Sequence, residues 1–350
     1  MTGQIPHTMR AAVVKDFNQG YEVCDVDVPT DFGPNDVLLK IGAAGYCHTD
    51  LQLMQGVYES SGTKPCLIGS QEPAGVVVKA GSDANKSEIK VGDRVGSINT
   101  YAFCGECDAC KKQGQQLCEK LVGMLGLTIN GGLAQYMKAD ARTAPLFCAG
   151  VTVYGAILTS NLKAGQWLTI VGIGGLGHLG VQYAKALGAK VIAIDNRKEG
   201  IETALWVSSH LRPNKTFVID SPEAEKKVIE ELQSSFYDSN PGVDRVVINA
   251  EARNLIKFSQ QFLRKGGILV DVGLPSEWTL EVDPFALSFK EQTVKGRLIC
   301  TPEQSQDMIN LHARHGCQTH IEKTYGVEQI NEMYEHYQKK DLRGRLCMVF

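Results

Sequence analysis

A glycine-rich turn between an apolar strand and a helix constrains the fold of this chain more than any other feature. The apolar run at residues 166–173 leads into the spacing G-x-G-x-x-G, and helical periodicity follows at residues 177–187. The first glycine permits a tight turn, the second lets the backbone approach a pyrophosphate, and the third allows close helix–strand packing. The helix N-terminus favours an anion. Such a turn can be purely structural, but this context predicts a dinucleotide at Gly172, Gly174, Gly175, Leu176 and Gly177.

A carboxylate ends the next predicted strand, at residues 190–195. Placed there, Asp195 can accept hydrogen bonds from both hydroxyls of an adenosine ribose. Its charge would repel a 2′-phosphate, so the sequence favours NAD over NADP. Arg197 and Lys198 follow directly and keep NADP open, because a basic pair could hold a phosphate; otherwise they form a solvated first helical turn. We assign Lys198 to the cofactor site.

The rhythm of apolar runs divides the chain into domains. Residues 154–291 alternate strands with helices, which predicts an α/β unit with a doubly wound parallel sheet of the Rossmann type. Residues 1–153 carry short β-branched runs broken by glycine, typical of a mostly β domain, and residues 292–350 return to a mixed pattern. The predicted strands are residues 37–41, 75–78, 92–95, 166–173, 190–195, 216–220, 243–250, 267–273 and 293–299, with a last one near Cys347, and the predicted helices are residues 177–187, 253–264 and 304–314.

Four cysteines with the spacing C-x2-C-x2-C-x7-C occupy one segment at about residues 100–120. Four thiolates this close describe a closed tetrahedral zinc site, in which no position is left for water. Such a zinc holds a loop together and does no chemistry. The alternative is a disulfide cluster or separate free thiols, and nothing else in the sequence indicates an oxidising compartment. The predicted ligands are Cys104, Cys107, Cys110 and Cys118.

Composition limits the partners of this chain. Its 350 residues include 36 basic and 39 acidic side chains, a formal charge of −3, without the basic excess that nucleic acid or a membrane surface favours. Eleven cysteines, an odd number, fit reduced thiols and metal ligands better than a disulfide framework. The N-terminus MTGQIPHTMR lacks a signal-peptide core, and no apolar run reaches the roughly 20 residues of a membrane span. We therefore expect a cytoplasmic protein that acts on a small molecule.

Three further motifs carry chemistry: Cys47-His48-Thr49-Asp50, the run from Gly69 to Gly75, and Cys148-Ala149-Gly150. Together with the cysteine lobe and the dinucleotide turn, in this order, they resemble the zinc-dependent alcohol dehydrogenases of the medium-chain dehydrogenase/reductase superfamily, particularly the yeast-like branch. The resemblance covers nearly the whole chain. It implies that the β domain is a GroES-like catalytic domain and that the protein is a homodimer or homotetramer.

The resemblance also implies roles for individual residues. Cys47 and Cys148 match two ligands of a second, catalytic zinc, so that two zinc ions per subunit are expected. Thr49 matches the hydroxyl that takes the proton of the alcohol. The other matches are cofactor contacts: His48 and Arg345 at the pyrophosphate, and Val272 and Leu274 beneath the nicotinamide.

Two departures from the family pattern affect the chemistry. Gln71 replaces the histidine ligand of the zinc, and Gln52 replaces the histidine that ends the proton relay. An amide oxygen is a weaker zinc donor than imidazole, and neighbouring Glu72 could compensate as a ligand. Asp50, which steadies the ligand histidine in the family, would need another partner. Because Gln52 does not titrate near neutral pH, we expect lowered alcohol oxidation there and relatively better carbonyl reduction.

The positions that narrow the substrate site in the yeast-like branch correspond here to Met54, Tyr58 and Asn99, which are smaller or more polar than tryptophan. A substrate larger than ethanol should fit, although Met54 and Tyr58 could simply pack the loop. The sequence therefore predicts an NAD-dependent, zinc-dependent oxidoreductase that interconverts an alcohol and an aldehyde or ketone. The alternatives are a zinc-free medium-chain reductase acting on an activated C=C bond or another acceptor, and an inactive dinucleotide-binding protein.

Overall fold

The computed structural model describes residues 4–87, 89–143, 148–234, 239–275 and 278–350. The chain forms two compact units. Unit 1 comprises the described residues up to Cys148 together with Thr301–Gln306 and Ile321–Phe350, and unit 2 comprises those of Ala149–Cys300 and Asp307–His320.

Unit 1 is mostly β-structure. The strands in its first part are β1 (Thr8–Val14), β2 (Glu22–Asp27), β3 (Asp36–Tyr46), β4 (Leu67–Ile68), β5 (Glu72–Ala80), β6 (Arg94–Gly96), β7 (Thr100–Tyr101), β8 (Gly123–Met124) and β9 (Tyr136–Asp140). Its first helices are α1 (His48–Met54) and α2 (Asp108–Lys112). Short 3-10 turns occur at Glu59–Ser61, Ala84–Ser87, Gln115–Leu117 and Ala141–Thr143.

Unit 2 contains the alternating strands and helices that the sequence predicts. Its strands are β10 (Trp167–Val171), β11 (Lys190–Asp195), β12 (Lys215–Val218), β13 (Val243–Ile248), β14 (Leu263–Asp271) and β15 (Thr293–Gly296). The helices from this part of the chain onward are α3 (Cys148–Thr159), α4 (Gly177–Ala186), α5 (Lys198–Leu205), α6 (Pro222–Ser234), α7 (Leu255–Phe262), α8 (Pro284–Phe289) and α9 (Pro302–His315), with a 3-10 turn at Ser209–Leu211. The chain ends in unit 1 with β16 (Ile321–Tyr325), a 3-10 turn at Val327–Gln329, α10 (Ile330–Tyr337) and β17 (Arg345–Val349).

Strand pairing in unit 1 brings distant segments of sequence side by side. One sheet has the order β16-β17-β3-β5-β6, with β9 also pairing β3, and a second has the order β2-β1-β4. Strand β3 lies antiparallel to both β5 and β17, so that Gly45 pairs with Glu72 on one side and with Cys347 on the other. The ends of these three strands therefore meet. The predicted mostly β domain is confirmed.

The sheet of unit 2 has the order β12-β11-β10-β13-β14-β15, and all of its strands are parallel. This is the 3-2-1-4-5-6 order of a doubly wound dinucleotide-binding sheet. Every residue of β13 is buried, and so is all of β11 except its first residue, because helices cover both faces of a parallel sheet. The predicted Rossmann sheet is confirmed.

The domain boundaries in the structure differ from those predicted. The strand predicted at residues 293–299 exists as β15, but it pairs in parallel with β14 and belongs to the sheet of unit 2. The predicted boundary at residue 291 therefore falls too early, because the change in sequence pattern there marks the edge of the sheet and not the end of the unit. Among the described residues, no helix combines the length and apolar character needed to cross a bilayer.

Candidate active site and metal centre

The four cysteines of the lobe converge between β7 and β8. Cys107 is the N-cap of α2, and Cys118 directly follows the turn Gln115–Leu117. All four sulfur atoms lie within 4.8 Å of one another, and individual Sγ–Sγ distances are 4.0, 4.0 and 3.5 Å for Cys104–Cys110, Cys107–Cys118 and Cys104–Cys118. Four Zn–S bonds of about 2.3 Å define a tetrahedron with edges of about 3.8 Å, whereas a disulfide requires about 2.05 Å. The geometry fits a closed zinc site and excludes the disulfide alternative.

Backbone groups in this lobe favour thiolates. The N–H of Cys107 donates to Cys104 Sγ at 3.4 Å, and the N–H of Cys104 donates to Cys118 Sγ at 3.3 Å. Hydrogen bonds from the backbone, that of Glu106 first, lower the pKa of Cys104 to about 6. Burial raises the pKa of Cys110 to about 12. Because all four positions of the tetrahedron are protein ligands, this zinc would be structural.

The glycine-rich turn of unit 2 connects β10 to α4 and leaves room for a phosphate. Gly172 has φ +86°, a conformation that L side chains rarely adopt. A Cβ at Gly177 would overlap the carbonyl oxygen of Gly172, whereas a Cβ at Gly174 would meet nothing within 4 Å. Gly175 and Leu176 complete the turn, and Leu176 is the N-cap of α4. The turn therefore has the tight corner, the open approach and the close packing that the sequence predicts.

A cavity of about 280 Å³ lies beside this turn, lined by Gly172, Gly174, Asp195, Arg197 and Asn249 among others. Asp195 ends β11 and is 5% exposed. Its two carboxylate oxygens accept hydrogen bonds from the N–H of Ile173 at 2.6 Å and of Arg197 at 2.8 Å. Each oxygen keeps a further lone pair, so ribose hydroxyls can still donate to this carboxylate. The residues present fit a dinucleotide.

The other predicted cofactor contacts of unit 2 differ in position and in exposure. Lys198 is the first residue of α5, and its ammonium lies 3.7 Å from Glu202 on the exposed face of the helix. Arg197 is the basic residue that lines the cavity. Val272 follows β14 and donates its N–H to Ile248 at 3.0 Å, while Leu274 is exposed. The sequence assigns Lys198 to the cofactor site because it carries no information on the directions in which the side chains of residues 197 and 198 point.

The buried carboxylate of Asp50 ties together two motifs of unit 1. It accepts hydrogen bonds from the N–H of Cys47 at 2.9 Å and from the N–H of Ser70 at 2.6 Å. Ser70 has φ +71°, and its hydroxyl donates to the carbonyl of Gly45 at 2.9 Å while accepting from the N–H of Glu72 at 3.1 Å. Burial raises the pKa of Asp50, partly offset by these N–H donors. Asp50 thus has the partner that the sequence left open.

Gln71, a predicted zinc ligand, is buried and hydrogen-bonded to a residue of the predicted substrate pocket. The amide nitrogen of Asn99 donates to Gln71 Oε1 at 2.9 Å. The amide oxygen is the atom of Gln71 that would bind a metal, so a metal would share this atom with Asn99. The sequence gives no sign of the contact, since the two residues lie 28 positions apart.

Glu72, the second candidate ligand, forms a buried ion pair with Arg345. Both residues are 5% exposed. The pair is possible because β3 lies between β5 and β17, and because Gly45 has no side chain; a Cβ there would overlap Glu72 Oε2. Burial lowers the pKa of Arg345, and the Cys47 and Asp50 charges oppose that effect. The sequence assigned Glu72 and Arg345 to different partners and missed this pair.

Comparison with known proteins identifies the family. Two protein-family models match the chain. The model described as "Alcohol dehydrogenase GroES-like domain" matches residues 33–147, and the model described as "Zinc-binding dehydrogenase" matches residues 175–314. Two alcohol dehydrogenases of Geobacillus stearothermophilus are 34% and 32% identical, each over 97% of this chain and over 98% and 99% of their own lengths. The crystal structure of the alcohol dehydrogenase from the hyperthermophilic archaeon Aeropyrum pernix is 25% identical, with a TM-score of 0.86 over 97% of this chain and 100% of that one. The chain belongs to the zinc-dependent alcohol dehydrogenases.

Membership of this medium-chain alcohol dehydrogenase family confirms the predicted activity at the level of the reaction: the protein is an oxidoreductase for alcohol and carbonyl interconversion. It speaks against an inactive dinucleotide-binding protein. The yeast-like branch and the individual roles of residues stay predictions.

Gln52, which the resemblance predicts at the end of the proton relay, is also hydrogen-bonded. The hydroxyl of Tyr58 donates to Gln52 Oε1 at 2.5 Å, and both side chains are buried. Met54 is fully buried and packs in the apolar core of unit 1, which agrees with the loop-packing alternative for this residue. Tyr58 and Asn99 are thus hydrogen-bonded to Gln52 and Gln71, the two predicted departures from the family pattern.

The remaining predicted residues of the dehydrogenase site begin helices. Cys47 is the N-cap of α1, which places His48 and Thr49 in its first turn, both half-buried. The ring centroid of His48 lies 6.3 Å from that of Tyr337. Cys148 begins α3, and its side chain lies outside the described part of the structure.

We expect Cys110→Ser to remove one zinc ion per subunit and to lower the free energy of unfolding by more than about 3 kcal/mol, because metal binding to a closed site is coupled to folding. Zinc analysis and denaturant unfolding measure the two effects. The matched control is Cys66→Ser, which changes an exposed thiol outside the lobe and should leave both values unchanged. An unaltered zinc count in Cys110→Ser would contradict the assignment.

Proposed function

We propose that this protein is an NAD(H)-dependent alcohol dehydrogenase with a catalytic zinc at Cys47, Gln71 and Cys148 and a substrate bulkier than ethanol. The observation that supports it most directly is the Asp50 carboxylate, which hydrogen-bonds the N–H groups of Cys47 and Ser70. This bridge holds the Cys47 thiol motif beside the Gln71 motif, as a shared metal site requires. The donor set of two thiolates and an amide oxygen can bind zinc, with Cys148 assigned by the resemblance alone.

The ion pair of Glu72 favours Gln71 as the zinc ligand. A Glu72 that moved to the metal would leave Arg345 as a buried charge without its carboxylate, and losing one partner of a buried pair costs about 3–5 kcal/mol. The oxygen of Gln71 accepts its hydrogen bond from the neutral Asn99 amide, and a metal would share that oxygen. The contact with Asn99 weakens the oxygen as a donor, and this is the one observation that favours the zinc-free reductase as a second candidate.

A bound zinc supplies polarisation of the substrate oxygen, and a bound nicotinamide supplies or accepts the hydride. The chain itself handles the proton. The hydroxyl of Thr49 can take the proton of the alcohol and pass it on, because a hydroxyl both donates and accepts. Gln52 cannot receive that proton, and its oxygen already accepts from Tyr58. The proton would therefore leave through water or another group, and a positioned base typically contributes about 10²–10⁴-fold.

The proposed preference for NAD depends on Asp195. Its buried carboxylate lines the cavity beside the glycine-rich turn, where a 2′-phosphate would meet a like charge. Arg197 lines the same cavity and lies 3.4 Å from Asp195, so it offsets part of that repulsion. NADP is therefore the alternative cofactor to NAD.

The proposed substrate is bulkier than ethanol, and the proposed assembly is a homodimer or homotetramer. Asn99 and Tyr58 are smaller or more polar than tryptophan, which leaves space for a larger alcohol. A homodimer or homotetramer in the cytoplasm stays the prediction of the sequence. The exposed apolar side chains Leu280, Phe285 and Phe289 of unit 2 support self-association.

Zinc counts in two variants distinguish the ligands. With two zinc ions in the wild type, we expect Gln71→Ala to retain one and Glu72→Gln to retain two, because Glu72 serves Arg345. Cys110→Ser, which removes the structural ion, is the reference for assigning the loss. The reverse pattern would make Glu72 the ligand. One zinc ion in fully active wild type would instead establish the zinc-free reductase.

Restoring the relay histidine should raise alcohol oxidation. For Gln52→His we expect a gain of about tenfold or more at neutral pH, with a rate that rises through the histidine pKa near 6.5. Initial rates in both directions across pH 5–9 measure it. Gln55→His adds an imidazole at an exposed position just after α1 and should change nothing. A flat response of Gln52→His would count against the relay.

Cofactor preference should depend on Asp195 and not on Lys198. We expect the wild type to bind NADH about 100-fold or more tightly than NADPH, since juxtaposed like charges cost several kcal/mol. Asp195→Ser should reduce that ratio, and Arg197→Ala in the same background should weaken NADPH again. Lys198→Ala, which changes an exposed side chain paired with Glu202, is the matched control. Equal binding of both cofactors by the wild type would refute the role of Asp195.

A further inference from the structure

His178 is a buried histidine that the proposed chemistry does not use. It is the second residue of α4 and 1% exposed. Its ring nitrogen Nδ1 lies 3.0 Å from the carbonyl oxygen of Gly174, in the glycine-rich turn. Its Nε2 lies 3.3 Å from the backbone nitrogen of His320, in the segment that precedes β16. The ring thus joins the turn to a distant part of unit 2.

These two contacts define the tautomer of His178. A backbone N–H can only donate, so Nε2 must accept from His320, and the proton is on Nδ1. Nδ1–H then donates to the Gly174 carbonyl, which can only accept. Burial, together with the nearby His320 and His312, lowers the pKa of His178 to about 4, so the ring keeps this neutral form at neutral pH.

The contact with Gly174 orients the peptide group that faces the phosphate position. In a trans peptide the carbonyl of one residue and the N–H of the next point in opposite directions. Because the Gly174 carbonyl points to the buried His178 ring, the N–H of Gly175 points away from it. Gly174 itself lines the 280 Å³ cavity and has open space where a Cβ would be. The backbone N–H of His178 also donates to this carbonyl, at 3.2 Å, so the ring adds a second hydrogen bond that keeps the carbonyl oxygen out of the cavity, where it would repel an anion.

Gln182 offers an internal comparison, because it holds the same distant segment without touching the turn. One helical turn after His178, its side chain exchanges two hydrogen bonds of 2.8 Å with the backbone of Gln318 and donates to the carbonyl of His178 at 3.0 Å. Loss of Gln182 would therefore weaken the attachment of residues 317–320. It would leave the bond from His178 Nδ1 to Gly174 in place.

We propose that His178 is a positioning residue for dinucleotide binding, which holds the Gly174–Gly175 peptide with its N–H directed at the cofactor pyrophosphate. The proposal rests on the proposed function only in that a dinucleotide binds at this turn; it does not depend on the catalytic zinc or on the alcohol.

The test separates the two ring nitrogens. Asn at position 178 can replace Nδ1 as a donor to Gly174, whereas Gln places its amide near the position of Nε2. For His178→Gln and His178→Ala we expect the NADH dissociation constant to rise about tenfold, the equivalent of one hydrogen bond. For His178→Asn we expect it to stay within about threefold of the wild-type value. NADH fluorescence titration measures binding, and KM for NAD should rise in His178→Gln while kcat is unchanged.

Gln182→Met is the matched control, and its melting temperature should fall while NADH affinity is retained. If Gln182→Met weakens NADH as much as His178→Gln does, or if His178→Asn binds no better than His178→Gln, His178 serves only general packing and the proposal is wrong. Wild-type protein that binds no NADH would refute the dinucleotide function itself, an outcome distinct from either.

Discussion

The candidate metal site depends on the hydrogen bonds that the Asp50 carboxylate accepts. This carboxylate is buried, and burying it without hydrogen-bond donors would cost free energy. It accepts hydrogen bonds from two backbone N–H groups, those of Cys47 and Ser70, which offset that cost. Those bonds join the start of α1 to the segment that enters β5. Ser70 adopts a left-handed conformation that costs a residue other than glycine about 1–2 kcal/mol. The hydrogen bond from the Ser70 N–H to Asp50 and the two hydrogen bonds of the Ser70 hydroxyl offset this cost. They also fix the direction in which the Gln71 side chain points.

Three polar side chains around this bridge each have a buried partner of their own. Gln71 accepts from Asn99, Gln52 accepts from Tyr58, and Glu72 pairs with Arg345. Each contact gives one buried polar group a partner, but Gln71 Nε2 and Asn99 Oδ1 are buried and make no hydrogen bond within the described part of the structure. Gln52 and Gln71 are thus each bonded to a side chain of the predicted substrate pocket, Tyr58 and Asn99. The network around Gln71 is incomplete, and buried polar atoms of this kind cost free energy until water or a ligand meets them.

The sequence predicted the parts of this structure that depend on local pattern and missed those that depend on pairing across the sheet. The turn at Gly172 to Gly177 and the four-cysteine lobe were readable because backbone conformation and ligand spacing are local. The strand predicted at residues 293–299 was found but assigned to the wrong unit, since its partner, β14, is set by the sheet and not by its own residues. The pair Glu72–Arg345 joins residues 273 positions apart, and only the placement of β3 between β5 and β17 brings them together.

The structure also shows how polar side chains can set the direction of a single peptide group. At Gly174 the neutral imidazole and the backbone N–H of His178 hold the carbonyl, and at Ser70 a carboxylate holds the N–H. Gly174 has the conformational freedom of glycine and Ser70 has a strained backbone, so the peptide group at either position could flip. Both positions are next to residues that would contact a ligand. Each unit thus combines a flexible or strained turn with a buried side chain that disfavours the flipped orientation of the peptide group. Preorganisation of this kind lowers the cost of ordering the site when a ligand binds, and it explains why polar groups are buried here at all.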